Sequence, residues 1–303
     1  MRGLFGLIKR NLMVYFKDVQ AVIFSLLTSI IVFVLYLLFL KGSFVSAITD
    51  AMRGLESFVA AEDVEMFANT ILLSGIMGSA LITVSFATLN TFVRDKETRI
   101  AEDVLTTPIS RSKIVTSYFL SSSIASTLMT SFIFTVGLVI LSASGKVYMT
   151  AADVAKSYGA IALGAVSATA FLMIIVTFFK DTAASAGFFG ILSAAAGFVI
   201  GAYIPISEFS SGVKTICYIF PASHVTVILR NTLMNGVLGH MNDCINGLDN
   251  GEFVKAMKNV FGFRTELFGN TLSLANSGIY VAVATAICMV SCMILYSKTY
   301  KRR

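Results

Sequence analysis

Residues 94–113 read RDKETRIAEDVLTTPISRSK, a dense charged island between two long stretches that carry no charge at all. Upstream, Met66–Val93 contains no Asp, Glu, Lys or Arg, and downstream Ile114–Gly145 contains none either. Each run exceeds the ~20 apolar residues that a helix needs to cross a hydrocarbon core of about 30 Å. The island is therefore held at a membrane surface between two spans. Arg94–Leu105 has the pattern of a short amphipathic helix, with Ile100, Val104 and Leu105 on one side and Asp95, Glu97, Glu102 and Asp103 elsewhere. It ends at Pro108, because Thr107 before the proline is disfavoured in helical geometry. Ser110 is placed to cap the next span, whose first turn carries Arg111 and Lys113. Apolar knobs flanked by charges suit a groove on a soluble partner. Any loop at a membrane surface carries charges, but the terminated helix favours docking. The expected docking residues are Arg94, Glu97, Ile100, Glu102, Val104, Leu105, Thr107 and Pro108.

Working outward, the whole chain reads as membrane-embedded. Of 303 residues 56% are hydrophobic and only 13% charged, where a soluble domain carries about 25% charged residues. Charge-free runs mark six spans: Ala21–Leu40, Met66–Val93, Ile114–Gly145, Ser157–Phe179, Thr182–Ser207 and Leu267–Ser297. They are continuously apolar rather than alternating, which excludes a β-barrel and leaves helices. The expected fold is an all-α polytopic membrane protein, a single transmembrane domain over 1–303. It has an interfacial helix over 1–20, spans one to five over 21–204, an outer loop over 205–266, and span six with a tail over 267–303.

Loop cations set the orientation. Arg2, Lys9, Arg10, Lys17, the island, Lys180 and the tail Lys298, Lys301, Arg302 and Arg303 fall on one side. Lys41, Arg53, Lys146 and Lys156 fall on the other, together with a last loop long enough to translocate regardless of charge. Both termini and the island are expected in the cytoplasm, and the net charge of +6 faces anionic lipid rather than nucleic acid. A cleaved signal peptide is the rival reading of the first span. Its apolar run is longer than the 7–15 residues of such a segment and sits behind a twenty-residue leader.

Met1–Gln20 places Leu4, Ile8, Leu12 and Tyr15 at helical spacing opposite Arg2, Lys9, Arg10 and Lys17, the pattern of a helix lying in the interface with its stripe in lipid. Lys41–Glu65 reads as a short acidic outer loop. Within 205–266, the run Thr215–Leu229 has no charge but is too short to span. Pro221 divides it, Ser223 is a plausible N-cap, and two half-depth helices through Arg230 follow, either re-entrant or lying flat. Met234–Glu266, rich in Asn and Gly, reads as exposed loop. Cys217 and Cys244 are available for a disulfide, which nothing in their spacing demands. His224 and His240 have no Cys or acidic partner at metal spacing, so no metal site is expected.

The spans hold no acid or base of the kind that relays ions or protons, which argues against an ion-coupled carrier. Interior polarity comes from hydroxyls, of which Ser85, Thr88, Ser122 and Thr130 are candidates to line a path. No phosphate-binding loop is present, so the chain itself is expected to be no enzyme and to hold no cofactor.

Two stretches resemble a known family. Asp95–Ser122, DKETRIAEDVLTTPISRSKIVTSYFLSS, resembles the cytoplasmic loop of type 2 ABC-transporter permeases, where an acidic amphipathic coupling helix leads to a Thr-Pro and a basic residue. Gly197–Arg230, GFVIGAYIPISEFSSGVKTICYIFPASHVTVILR, resembles that family's fifth span and the re-entrant pair beyond it. One departure stands out, because many members have Gly where Arg99 stands. The resemblance implies an exporter of an amphipathic substrate, built from two permease copies or homologues and two separate ABC ATPase subunits that bind the ATP and magnesium. It assigns Glu102, Leu105, Thr107 and Pro108 to the coupling helix, and Pro205, Phe220, Pro221 and His224 to an outer gate. The chain would sit in the cell (inner) membrane. A non-transporting sensor or immunity protein, binding a ligand through Pro205–Glu266, is the alternative. The lack of Trp and the hydroxyl-rich third span lean toward a modest amphipathic cargo rather than a long glycan.

Overall fold

The computed structural model describes residues 2–52, 54–246 and 251–299. Arg53, Lys301, Arg302 and Arg303, counted above for orientation, lie outside the described residues. Helix α1 (Arg2–Lys17) stops at Asp18, whose carboxylate accepts the Ala21 backbone N–H at 3.0 Å and so caps α2 (Val19–Leu35). A π-helical turn, Tyr36–Leu40, runs on into α3 (Lys41–Met52). The first apolar column is thus Val19–Met52, and the expected loop over Lys41–Glu65 is largely helix. Then come α4 (Ala61–Glu97), α5 (Ile100–Thr106), α6 (Arg111–Ser144), α7 (Ala151–Val176) and α8 (Thr182–Val199). The chain closes with α9 (Ser211–Ile219), α10 (Pro221–Ile245), α11 (Glu252–Val260), the hairpin β1 (Thr265–Leu267) and β2 (Asn270–Leu272), and α12 (Leu274–Thr299). Among the described residues six helical columns are long and apolar enough to cross a membrane: Val19–Met52, α4, α6, α7, α8 and α12. This is the all-α polytopic architecture expected.

α4 is the central column, packed by α2, α3, α6, α7, α8 and α10. Phe67, Ala68, Met77, Leu81, Val84 and Leu89 along it are fully buried. Gly78 is what allows the close crossing of α4 with α10, since a Cβ there would strike Thr226. Outward-facing stripes complete the pattern: on α12, Ile279, Val283, Ile287, Val290 and Ile294 recur at helical spacing and are all exposed, which only a lipid or protein covering explains. The α1 stripe behaves otherwise than expected. Tyr15 is buried and Leu12 packs beside it on Ala80, Val84, Ala125 and Met129 of α4 and α6, leaving Phe5, Met13 and Phe16 exposed.

The region after α8 departs most from expectation. The fifth charge-free run reaches Ser207, but its helix ends inside it at Val199, because Gly201 turns the chain in the left-handed region (φ +69°). α9 and α10 meet at 92°. Phe220 before the proline is extended, and Pro221 takes the first position of α10, where its missing N–H costs nothing. Ser223 is therefore inside the helix rather than its cap, and its hydroxyl donates to the Val199 carbonyl at 3.2 Å. Nor is α10 half-length: its 25 residues rise about 37 Å. The stretch from Met234, expected as exposed loop, is helical and buried at Val237, Leu238, Met241 and Ile245. The hairpin displaces the start of the last span to Leu274. Cys217 and Cys244 are both free thiols.

Arg230, expected at the end of a half-depth helix, lies in the body of α10 and is fully buried. Its Nη1 donates to the Phe261 carbonyl at 3.0 Å and its Nη2 to the Gly201 carbonyl at 2.5 Å. One guanidinium thus joins the turn after α8, the body of α10 and the turn after α11. Arg230→Met would strand those two carbonyls, at about 1–3 kcal/mol each. The expected result is a clearly lowered thermal midpoint in detergent, with Arg230→Lys recovering part of the loss; circular dichroism melts check it.

Candidate functional site

The charged island, expected to face outward to a partner, bonds five of its nine charged side chains to other parts of the chain. At the end of α4, Arg94 donates to Asp18 at 3.2 Å, reaching the cap between α1 and α2. Asp95 is 2% exposed and accepts from both terminal nitrogens of Arg10 in α1, the Nη2 contact being 2.9 Å, and from the Tyr118 hydroxyl of α6 at 2.5 Å. Lys96 donates to the Thr177 and Phe179 carbonyls, at 2.9 and 2.6 Å, and so satisfies the open C-terminus of α7. Glu97 accepts the Thr182 N–H at 3.1 Å and supplements the Asp181 cap at the start of α8. Arg111 donates to the Ser297 carbonyl near the end of α12. The connection between α4 and α6 is thereby tied to α1, α2, α7, α8 and α12.

Within this harness α5 is short and inward-facing on its apolar side. Ala101 is buried, and half-buried Val104, Leu105 and Ile109 pack against the main core. Glu102, Asp103 and Thr106 are exposed, as are Arg99 and Pro108. Of the apolar knobs read from the sequence, Val104 and Leu105 are thus engaged within the chain while Ile100 is half-buried, and the exposed side chains of α5 itself include the acidic pair Glu102 and Asp103. α5 ends as expected: Thr107 is extended (φ −74°, ψ 157°) ahead of Pro108. Ser110 holds the N-cap position of α6 without making a side-chain cap bond. The start of α5 is the less expected feature. α4 runs unbroken to Glu97, and the turn is made by Arg99 in the left-handed conformation (φ 61°, ψ 5°), which a residue with a Cβ adopts at a cost of about 1–2 kcal/mol. A glycine would take that conformation freely.

The other expected site residues lie in and beside the turns between α8 and α10, at the level of the middle of α4, where Gly78 meets Thr226 and Ile200. Pro205 opens a 3-10 turn, Ile206–Glu208. Phe220, at the corner of α9 and α10, packs its ring 4.8 Å from that of Phe171 on α7. His224, expected at the surface, is fully buried: Nε2 donates to the Tyr218 carbonyl at 2.7 Å and the ring stacks 4.3 Å from Tyr280 of α12. Like Asp95 and Arg230, it is a buried ionisable group that lies outside the six charge-free runs read as spans. His240, read as isolated, lies beside Asp63 and Cys244. Tyr148, in the connection between α6 and α7, donates to Asp63 at 2.7 Å, and that bond, with partial desolvation, pushes its phenol up to about 12.

The hydroxyls named for a path are buried between α4 and α6. Ser85 bonds Ser126 across the helices at 2.8 Å, and Ser122 donates to the Thr88 carbonyl at 3.2 Å. Thr130 is buried with no partner among the described residues. Open space lies instead between α2, α4 and α6, where a cavity of about 450 Å³ is lined by Ile30, Phe33, Leu72, Ile76, Phe132 and Val136, with the Lys41–Glu65 ion pair at its polar end. Arg10, Asp18 and Tyr118 were missed as site residues. Asp18 alone had a sequence signal, standing directly before the first apolar run as an N-cap does.

A family model described as "ABC-2 family transporter protein" matches residues 45–297. No curated protein matches the chain.

Two outcomes follow from this geometry. Asp95→Ala removes charge-assisted bonds worth about 1.5–3 kcal/mol each and should free α1 to proteolysis and hydrogen exchange, whereas Arg94→Ala, at an exposed pair, should cost under about 1 kcal/mol. Arg99→Gly should hold or raise the thermal midpoint, while Arg99→Val, β-branched in a left-handed turn, should lower it.

Proposed function

The chain belongs to the ABC-2 family of transporter proteins, and on that premise we propose that it works as the membrane half of an ATP-driven exporter of an amphipathic substrate. It is a multi-pass transmembrane subunit of an ABC transporter. In our reading two copies, or this chain and a homologue, pair with two separate ATPase subunits that carry the ATP and its magnesium. Both termini and α5 face the cytoplasm of a cell membrane, in keeping with the crowd of Lys and Arg there.

The observation that carries the proposal is the exposed acidic face of α5, Glu102 and Asp103, on a connection tied to five other helices. A groove of basic character on the ATPase would be its partner, and closure of the ATPases would tilt α5. Because the island grips α1, α2, α7, α8 and α12, the tilt would be passed to the bundle as one displacement rather than absorbed in a loose loop, which is what nucleotide-biased switching between two states requires. The apolar cavity with an ion pair at one end suits a cargo or lipid that is itself amphipathic.

The test is a pull-down of the tagged chain from mild detergent. Wild type should bring down an ATPase with vanadate-sensitive activity. The double change Glu102→Lys and Asp103→Lys should leave the amount of chain in the membrane unchanged and lower ATPase recovery by roughly tenfold or more, since like charges then face each other. Equal recovery by both proteins would remove α5 as the docking face, and no ATPase with wild type would favour a ligand-binding membrane protein instead.

A further inference from the structure

We propose that Asp63, His240 and Cys244 bind a transition-metal dication of the zinc type at the end of the bundle opposite α5. His240 and Cys244 stand one turn apart on α10 and so share a face; Asp63 lies in the first turn of α4. Their donor atoms all fall within 4.8 Å of one another. His240 Nε2 is 3.4 Å from Asp63 Oδ2 and 3.8 Å from Cys244 Sγ. Tetrahedral zinc, with Zn–N and Zn–O near 2.0–2.2 Å and Zn–S near 2.3 Å, separates its N and O donors by ~3.3 Å and its N and S donors by ~3.6 Å. The side chains already span two edges of such a tetrahedron to within a few tenths of an ångström. Thiolate and imidazole select zinc and its neighbours over calcium and magnesium, which take oxygen ligands.

The surroundings resemble those of a built site. Tyr148 holds Asp63 Oδ1 by its 2.7 Å hydrogen bond, leaving Oδ2 for the ion, and its ring stacks on His240 at 4.3 Å and 17°. Supports of this kind fix the ligands of metal centres. Gly236, one turn before His240, lets the α10 backbone meet the Tyr148 carbonyl, which any Cβ there would strike. Asp63 is buried, while His240 and Cys244 are partly exposed, so an ion has a way in. Three protein ligands leave a fourth position for water or another donor. The bound ion would tie the start of α4 to the end of α10, with the connection between α6 and α7 braced against both. The site stands on its own geometry and does not depend on the transport reading.

The test uses the full chain in detergent, reduced and stripped with a chelator, titrated first with Co²⁺ and then with Zn²⁺. Expected is one Co²⁺ per chain with a thiolate-to-cobalt charge-transfer band, discharged by Zn²⁺, and a thermal midpoint raised by Zn²⁺. Cys244→Ala should abolish the band and His240→Ala the rise in midpoint. Tyr148→Phe, which keeps all three ligands, should retain the band and weaken binding about 10–100-fold. Absence of the band in wild type would overturn the site. So would its survival in Cys244→Ala, which would assign the thiolate to Cys217, Cys288 or Cys292, or an equal Zn²⁺ effect in wild type and His240→Ala.

Discussion

Four successive charges at the end of α4 reach four different places. Arg94 reaches Asp18, Asp95 reaches Arg10 and Tyr118, Lys96 reaches the carbonyls that end α7, and Glu97 reaches the N–H that begins α8. They are not equal in weight. The Arg94–Asp18 pair is exposed on both sides and is screened by water and salt. Asp95 is shut away, and a buried carboxylate without its partners would be far more costly than the pair with them. That carboxylate, with the apolar contacts of Tyr15 and Leu12, holds α1 against α4 and α6, and α5 follows directly from the same end of α4.

Satisfying backbone groups away from water is the common theme of both ends of the bundle. At one end Lys96 and Glu97 close the termini of α7 and α8. At the other, Arg230 collects carbonyls from two turns, and Asn231 donates to the Phe263 carbonyl at 2.8 Å. The sharp corner between α9 and α10, the left-handed turn at Gly201 and the irregular chain around 261–263 are tolerated because these side chains reach the groups that the turns leave open. Between the two ends α4 runs as a close-packed column with small residues where it crosses its neighbours, so motion at one end has a stiff element along which to pass.

How much of this was legible beforehand differs by level. The six columns, the α5 terminus at Pro108 and the break at Pro221 were readable, because apolar length and the steric rule before proline act locally. Places where helix continued across polar residues were not: Lys41–Met52 and Met234–Ile245 look like loop by composition, yet they are helical because packing on α4 and its neighbours outweighs weak local propensity. Misreading the second of these hid the spacing of His240 and Cys244, which falls one helical turn apart only if the segment is helix. The apolar side of α5 was seen correctly, and in the structure Val104 and Leu105 pack half-buried against the chain's own core. Amphipathicity says that Val104 and Leu105 need cover, and says nothing of whether the cover is a partner or the chain's own core.

By itself, then, the sequence determined the membrane class, the number of spans and which residues share a face of each helix, since these follow from hydrophobic length and a period of 3.6 residues. Only the tertiary structure decided which partner meets each buried charge. Arg10 finds Asp95 across 85 positions and Arg230 finds Gly201 and Phe261 from either side, because helical periodicity fixes the direction a side chain points and leaves open which other helix arrives there.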